Sequence, residues 1–275
     1  MAVDKGKQFE YAIMIAALSR LPSSMMTVEL KLTYKDLMTK TNNGKIIEAD
    51  VKLAAKNMID RIEPSTNKSA FYKSFKQLGG GIGGGGEPKT DVLFIKQGKK
   101  YKCSLKWGDK YQLSSAGISK TSEVLKKVLD ESNQIGGNKT RQEIAQFITE
   151  FENTLGTLPK KGEQAEMKRA LERNTHLKAK LEQFLGTRKE TQVADAYKAF
   201  KDAIVYESLT GKLIFGKSSD KTANYILNEE ELKPINDKLV RLVSDQTYVR
   251  LRLKGRGKTE EGARLNELVV TIEPK

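Results

Sequence analysis

Over residues 7–19 good helix formers carry a continuous apolar face, and the pattern predicts a helix that stops before Pro22. From 26 to 34 apolar and polar residues alternate, with Val28, Leu30 and Leu32 at every second position. This reads as a strand, with a helix following from Tyr34 also open. Val51, Leu53, Ala54, Met58, Ile59 and Ile62 recur at helical spacing, and Glu63-Pro64 ends that element because a residue before proline is pushed out of the helical region. Residues 91–96 and 101–107 are β-prone runs joined by Gln97-Gly98-Lys99-Lys100, an antiparallel hairpin. Helices are then expected over 119–131, 139–155, 163–185 and 190–209, with Gly186 and Gly211 as stops. The last part returns to β character at 223–227, 247–254 and 265–272, around a helix at 235–243.

This order describes an α/β chain: a core over 1–135, a helical subdomain over 136–211, and a β-rich part over 212–275 packed on the core. Residues 79–86 hold seven glycines broken only by Ile82, so they form a loop and neither helix nor strand. The loop lacks the Gly-Lys-Ser/Thr ending of a nucleotide-binding P-loop and opens onto Glu87-Pro88-Lys89-Thr90-Asp91.

Composition narrows the partners. Lys and Arg number 49 against 35 Asp and Glu, a net charge of +14, which favours a polyanion such as DNA. The one cysteine, Cys103, sits in an apolar stretch and excludes a disulfide framework or a cysteine zinc cluster; the one histidine, His176, excludes a two-histidine metal site. The polar start and the short apolar run at 11–18 give no signal peptide or membrane span. A reducing, cytoplasmic location is expected, either that of a host cell or a virion if the chain is phage-encoded.

Antiparallel pairing would bring Asp91 onto the same face as a position on the neighbouring strand, where Ser104 and Lys106 share one side and Leu105 turns inward. Pro88-Lys89-Thr90-Asp91 followed by Ser104-Leu105-Lys106 resembles the paired motif of the restriction endonuclease-like PD-(D/E)xK nucleases, a proline-led aspartate and then acid-x-Lys on the next strand. The resemblance covers residues 79–112 and Glu10. It implies a restriction-endonuclease-like core, a mixed β-sheet flanked by helices, here with a helical insertion.

The implied activity is Mg²⁺-dependent hydrolysis of DNA phosphodiester bonds within the strand, with Mn²⁺ as substitute. Asp91 would hold the metal, and Lys106 would orient water and stabilise the transition state. Glu10 matches the acid that many members carry on their first core helix. Ser104 departs from the pattern, offering a neutral oxygen where the family has an acid; Glu10, Glu87 or a backbone carbonyl is the compensating ligand. Gln112 resembles the polar residue placed beyond the lysine to contact DNA or water, and Glu207 is a further acidic candidate. Double-strand cutting through one such site favours a homodimer. The competing reading, supported by Ser104, is a DNA-binding protein of the same fold with weak or lost catalysis, such as one that binds or protects DNA ends.

Arg250, Arg252 and Lys254 alternate with apolar residues and run on to Arg256 and Lys258, which would give one strand a cationic face able to track phosphates. The competing reading is an exposed edge guarded by charge.

Overall fold

The computed structural model describes residues 4–78, 89–108, 111–116, 118–131, 137–156, 174–256 and 264–275, with only the backbone described at 112–116, 118–120, 155–156, 251–256 and 264–269. In chain order the elements are α1 (Lys5–Leu18), α2 (Val28–Lys40), α3 (Ala49–Ile62), α4 (Lys68–Lys73), β1 (Lys76–Gln77), β2 (Val92–Lys96), β3 (Lys99–Leu105) and β4 (Tyr111–Ala116). There follow α5 (Ile118–Glu131), α6 (Asn138–Gly156), α7 (Thr175–Leu185), α8 (Asp195–Thr210), α9 (Lys212–Phe215), β5 (Tyr225–Leu227), β6 (Leu232–Pro234), α10 (Asp237–Gln246), β7 (Thr247–Arg256) and β8 (Arg264–Pro274). The chain is mixed α/β and divides into two compact units, Met1–Asp109 with Phe215–Ile235, and Lys110–Ile214 with Asn236–Lys275. Among the described residues no helix is long and apolar enough to cross a membrane.

The first unit is built on a five-stranded sheet of order β1-β2-β3-β5-β6, in which β3 and β5 run parallel and the other neighbours antiparallel. Gln97 and Gly98 both take positive φ, 51° and 74°, the conformation a two-residue hairpin turn needs, so the expected β2–β3 hairpin forms. Phe9, Ile13 and Met14 of α1 meet Val51, Met58 and Ile59 of α3 and Val92, Phe94, Cys103 and Leu105 of the hairpin in one fully buried core. Phe75, Phe94 and Tyr101 stack in series at 5.1 and 5.0 Å.

The stretch expected to be a strand at 26–34 is instead the start of α2. The Thr27 side chain accepts a hydrogen bond from Leu30 N, capping the helix, and Leu30 and Leu37, seven residues apart, are the pair turned inward. Val28 and Leu32, which completed the apparent alternation, are 74% and 63% exposed.

The second unit carries an antiparallel sheet of order β4-β8-β7 with helices α5 to α8 and α10. Gly186 and Gly211, at φ 61° and 65°, end α7 and α8 in the left-handed conformation that favours glycine. Lys201 of α8 is 4% exposed, and its ammonium donates to Ser244 O at 2.6 Å and Thr247 O at 2.7 Å, carbonyls at the C-terminal end of α10.

This division differs from the expected breaks at 135 and 211. Long-range strand pairing decides it: β4 joins β8 in the second sheet, while the short strands β5 and β6 extend the first. Of the helix expected over 163–185, the described part is α7, and residues 157–173 lie outside the described residues.

Candidate active site

Hydrogen bonding along the hairpin holds Asp91 from several directions. Val92 pairs with Cys103, so Asp91, one step earlier, stands across from Ser104. Asp91 N donates to Cys103 O at 2.9 Å, and Leu78 N donates to Asp91 O at 2.9 Å. The carboxylate oxygen Oδ2 accepts from Leu105 N at 2.7 Å and from the Ser104 hydroxyl at 3.3 Å. The segment leading into Asp91 is also clamped: Lys89 N donates to Lys221 O at 2.8 Å, and the buried Thr90 hydroxyl donates to Thr222 O at 2.8 Å.

Lys106 follows directly on β3. Cys103 and Leu105 are core residues, so Ser104 and Lys106 occupy the alternate positions of the strand direction. Lys106 N donates to Leu227 O at 3.0 Å, which ties the end of β3 to β5. The next residue, Trp107, meets Phe9 edge to face at 5.6 Å between ring centres, and the Lys5 ammonium lies 5.5 Å from its ring. Both partners belong to α1, so the aromatic contact fastens the first helix beside the motif and brings Glu10 to it.

Glu10, Asp91 and Lys106 therefore share one electrostatic environment. Burial and then the negative charge of Asp91 push the Glu10 carboxyl from its ordinary 4.5 up to about 7, against the opposing pull of Lys7 and Lys106. Lys7 Nζ donates to Glu10 Oε2 at 2.5 Å. Burial works against the Lys7 charge, yet its bond to Glu10 and the charges of Glu10 and Asp91 hold its pKa above the ordinary lysine value. Burial also pushes the Cys103 thiol strongly upward, as befits an inert core thiol.

Glu87 lies outside the described residues, as does Lys258. Gln112 is in β4 and Arg250, Arg252, Lys254 and Arg256 are in β7, all in the second unit. The side chains of Gln112, Arg252, Lys254 and Arg256 are outside the described residues. Arg250 forms a 3.0 Å ion pair with Glu273, a carboxylate that also accepts from the Tyr248 hydroxyl at 3.0 Å, so its guanidinium has a structural partner in the sheet. Glu207 is fully buried and accepts from Leu213 N at 2.8 Å and Ile214 N at 3.0 Å, satisfying the start of the short helix α9.

Sequence reading missed Lys7 and Lys102. The signal for Lys7 was its spacing, three residues ahead of Glu10 in the opening of a helix. Lys102 is 8% exposed and donates to Ser219 O and Thr222 Oγ1, both at 2.7 Å, holding the loop that clamps Thr90. An alternating β-strand gives no warning that a lysine will be buried.

Among the described residues no group of three or more His, Cys, Asp or Glu converges to hold a metal ion. The Glu10 carboxyl is close enough to Asp91 to feel its charge, and the neutral Ser104 hydroxyl donates to Asp91. Such an oxygen-only set fits Mg²⁺, which keeps several waters and takes one or two carboxylates, and does not fit zinc. Compared with protein-family models, with curated proteins and with solved structures, the chain matches none.

Proposed function

We propose that the first unit is a restriction-endonuclease-like core and that the chain is a Mg²⁺-dependent DNA endonuclease, with Mn²⁺ able to substitute. The observation that carries this reading is the packing of the first helix, through Phe9 on Trp107, beside the hairpin of Asp91 and Lys106, which sets the partly buried Glu10 within reach of both charges. A buried carboxylate whose charge is disfavoured by a second carboxylate is stabilised by a divalent cation.

Asp91 and Glu10 would hold the metal, which when bound neutralises phosphate charge and lowers the pKa of water. Asp91 arrives pre-oriented, because Leu105 N and Ser104 Oγ fix one of its oxygens before any ligand binds. Lys106, held at the end of β3 by its backbone bond to Leu227, supplies a positive charge for the phosphate and a donor that orients the attacking water. The basic strand β7 would contact the DNA backbone, and cutting both strands would require two copies of the site, hence a homodimer.

Ser104 favours one second reading, a DNA-binding protein of this fold that has lost cleavage, because its hydroxyl adds no charge at the position across from Asp91. Supercoiled plasmid incubated with Mg²⁺ or Mn²⁺ separates the two. Nicked or linear product from the wild type and none from Asp91→Ala supports the enzyme. Equal inertness of both, with DNA still bound, rejects it in favour of the binding protein.

A further inference from the structure

Besides Lys106, the site contains a second cation, Lys7, which bonds Glu10 directly. Its ammonium sits 2.5 Å from Glu10 Oε2 and interacts with the charge of Asp91, one turn of α1 ahead of Glu10 and 5.5 Å from the Tyr11 ring. The neighbouring Lys5 is oriented otherwise, toward Asp50 at 2.7 Å and Glu48 at 3.1 Å. Only Lys7 of the two therefore addresses the carboxylate pair. Its side chain is 33% exposed, so it can swing outward without unpacking the core.

Two nearby carboxylates in a partly buried place require positive charge; Lys106 and the Lys7 ammonium bonded to Glu10 supply it in the free protein, and a divalent ion can replace the Lys7 share. We propose that Lys7 is an internal counter-ion of the Glu10–Asp91 pair and that a divalent cation binds by exchange, displacing the Lys7 ammonium from Glu10. This rests on the reading of Glu10 and Asp91 as metal ligands. The exchange lowers the apparent metal affinity by the fraction of molecules in which Lys7 holds the site. It also frees the Lys7 ammonium once metal is present, so that it can contact an incoming phosphate. Metal and DNA would then each favour the binding of the other, as linkage requires.

Mn²⁺ binding, measured by electron paramagnetic resonance on the full chain at pH 8.5 where Glu10 is ionised, tests this. Lys7→Gln should lower the Mn²⁺ Kd about tenfold relative to wild type, whereas Lys7→Arg, which keeps the charge, and Lys5→Gln, outside the site, should leave it within about twofold. A Kd for Lys7→Gln equal to or above the wild-type value overturns the proposal. A measurement without substitution guards against misfolding of the variant: saturating Mg²⁺ should shift the Lys7 side-chain ¹⁵N resonance of the wild type and leave that of Lys5 in place. An unmoved Lys7 resonance overturns the exchange. If Asp91→Asn binds Mn²⁺ as well as the wild type does, the ligand assignment itself fails and the exchange with it; loss of binding in Asp91→Asn with no effect at Lys7 sinks the exchange alone.

Discussion

Ser104 donates its hydroxyl to the carboxylate of Asp91 across the β2–β3 hairpin, at 3.3 Å, from a position only 2% exposed. Where the resembled nucleases carry an acid, this chain holds a neutral group that accepts no metal charge but orients the aspartate opposite. Replacing it with an acid should make the site more dependent on metal. In Ser104→Asp a buried carboxylate would face Asp91, at a cost on the order of 3 kcal/mol without a cation. The melting temperature of the variant should fall in EDTA and recover in Mg²⁺, and DNA cleavage should rise. A melting temperature indifferent to Mg²⁺ would show that no ion enters between these positions.

Glu10 should make the metal-free protein pH-sensitive. Its folded-state pKa of about 7 lies above its ordinary 4.5, so bound proton favours the folded form. That contribution is complete below pH 4.5 and is lost as pH rises through about 7. Glu10→Gln, which mimics the protonated carboxyl, should therefore stabilise the metal-free chain at pH 8 by on the order of 2 kcal/mol and have little effect at pH 4. Denaturant melts at the two pH values check this; equal effects at both would contradict the burial of an ionised Glu10.

Metal affinity should follow the opposite course. Mg²⁺ requires the ionised carboxylate, so below pH 7 its affinity should drop about tenfold per pH unit, with a proton released on binding. Calorimetry in buffers of different ionisation enthalpy reads that proton directly. A pH-independent affinity between 6 and 8 would remove Glu10 from the ligand set.

Lys201 offers a test of the second unit that is independent of function. Burial, then the charge of Lys275, lowers its pKa to about 8 from 10.5, yet its ammonium bonds two carbonyls at the end of α10. Lys201→Met should cost about 2–3 kcal/mol, since both carbonyls lose a charged donor. The depressed value also means that wild-type stability gains from the neutral form as pH rises from 8 toward 10.5, a gain absent in the variant. Thermal melts between pH 7 and 10 measure both effects.

On β7 the basic residues should separate into two kinds. Arg250 neutralises Glu273, which is only 5% exposed, so Arg250→Gln should destabilise the sheet by on the order of 1–2 kcal/mol after allowance for the half-exposed guanidinium. If Arg252 and Lys254 contact phosphates, their joint replacement by Gln should reduce the slope of log affinity against log salt by about 2 and leave stability unchanged. An unaltered slope would return the strand to its alternative reading as a charge-guarded edge.

What could be read in the sequence follows the range of the interactions involved. Local signals were legible: the periodic apolar face of α3, the glycine stops at 186 and 211, and the Gln97-Gly98 turn. Asp91, Ser104 and Lys106 could be related because a short hairpin places them, whereas Glu10 was suggested only by the resemblance to nucleases that carry an acid on their first core helix. The alternation at Val28, Leu30 and Leu32 misled because a helix also returns i and i+4 to one face, here an exposed one, and the Thr27 cap decides the outcome. Residues 111–116 mix Gln112, Ser114 and Ser115 with Tyr111, Leu113 and Ala116, a weak signal for a strand whose partner residues in β8 lie over 150 residues later. Lys7, Lys102 and Lys201 look like any solvated lysine until the fold supplies Glu10, the 219–222 loop and the end of α10 as their partners.

The measurement that bears most directly on the site is single-turnover cleavage of duplex DNA in Mg²⁺ at pH 8 by the wild type and by Glu10→Gln, Asp91→Asn and Lys106→Met, with DNA binding followed in parallel in EDTA. If the three residues form one metal-dependent centre, each substitution should reduce the cleavage rate at least about 100-fold while DNA binding stays within about threefold. Cleavage that survives the loss of Glu10 or Asp91, or a wild type as inert as its variants, would contradict it.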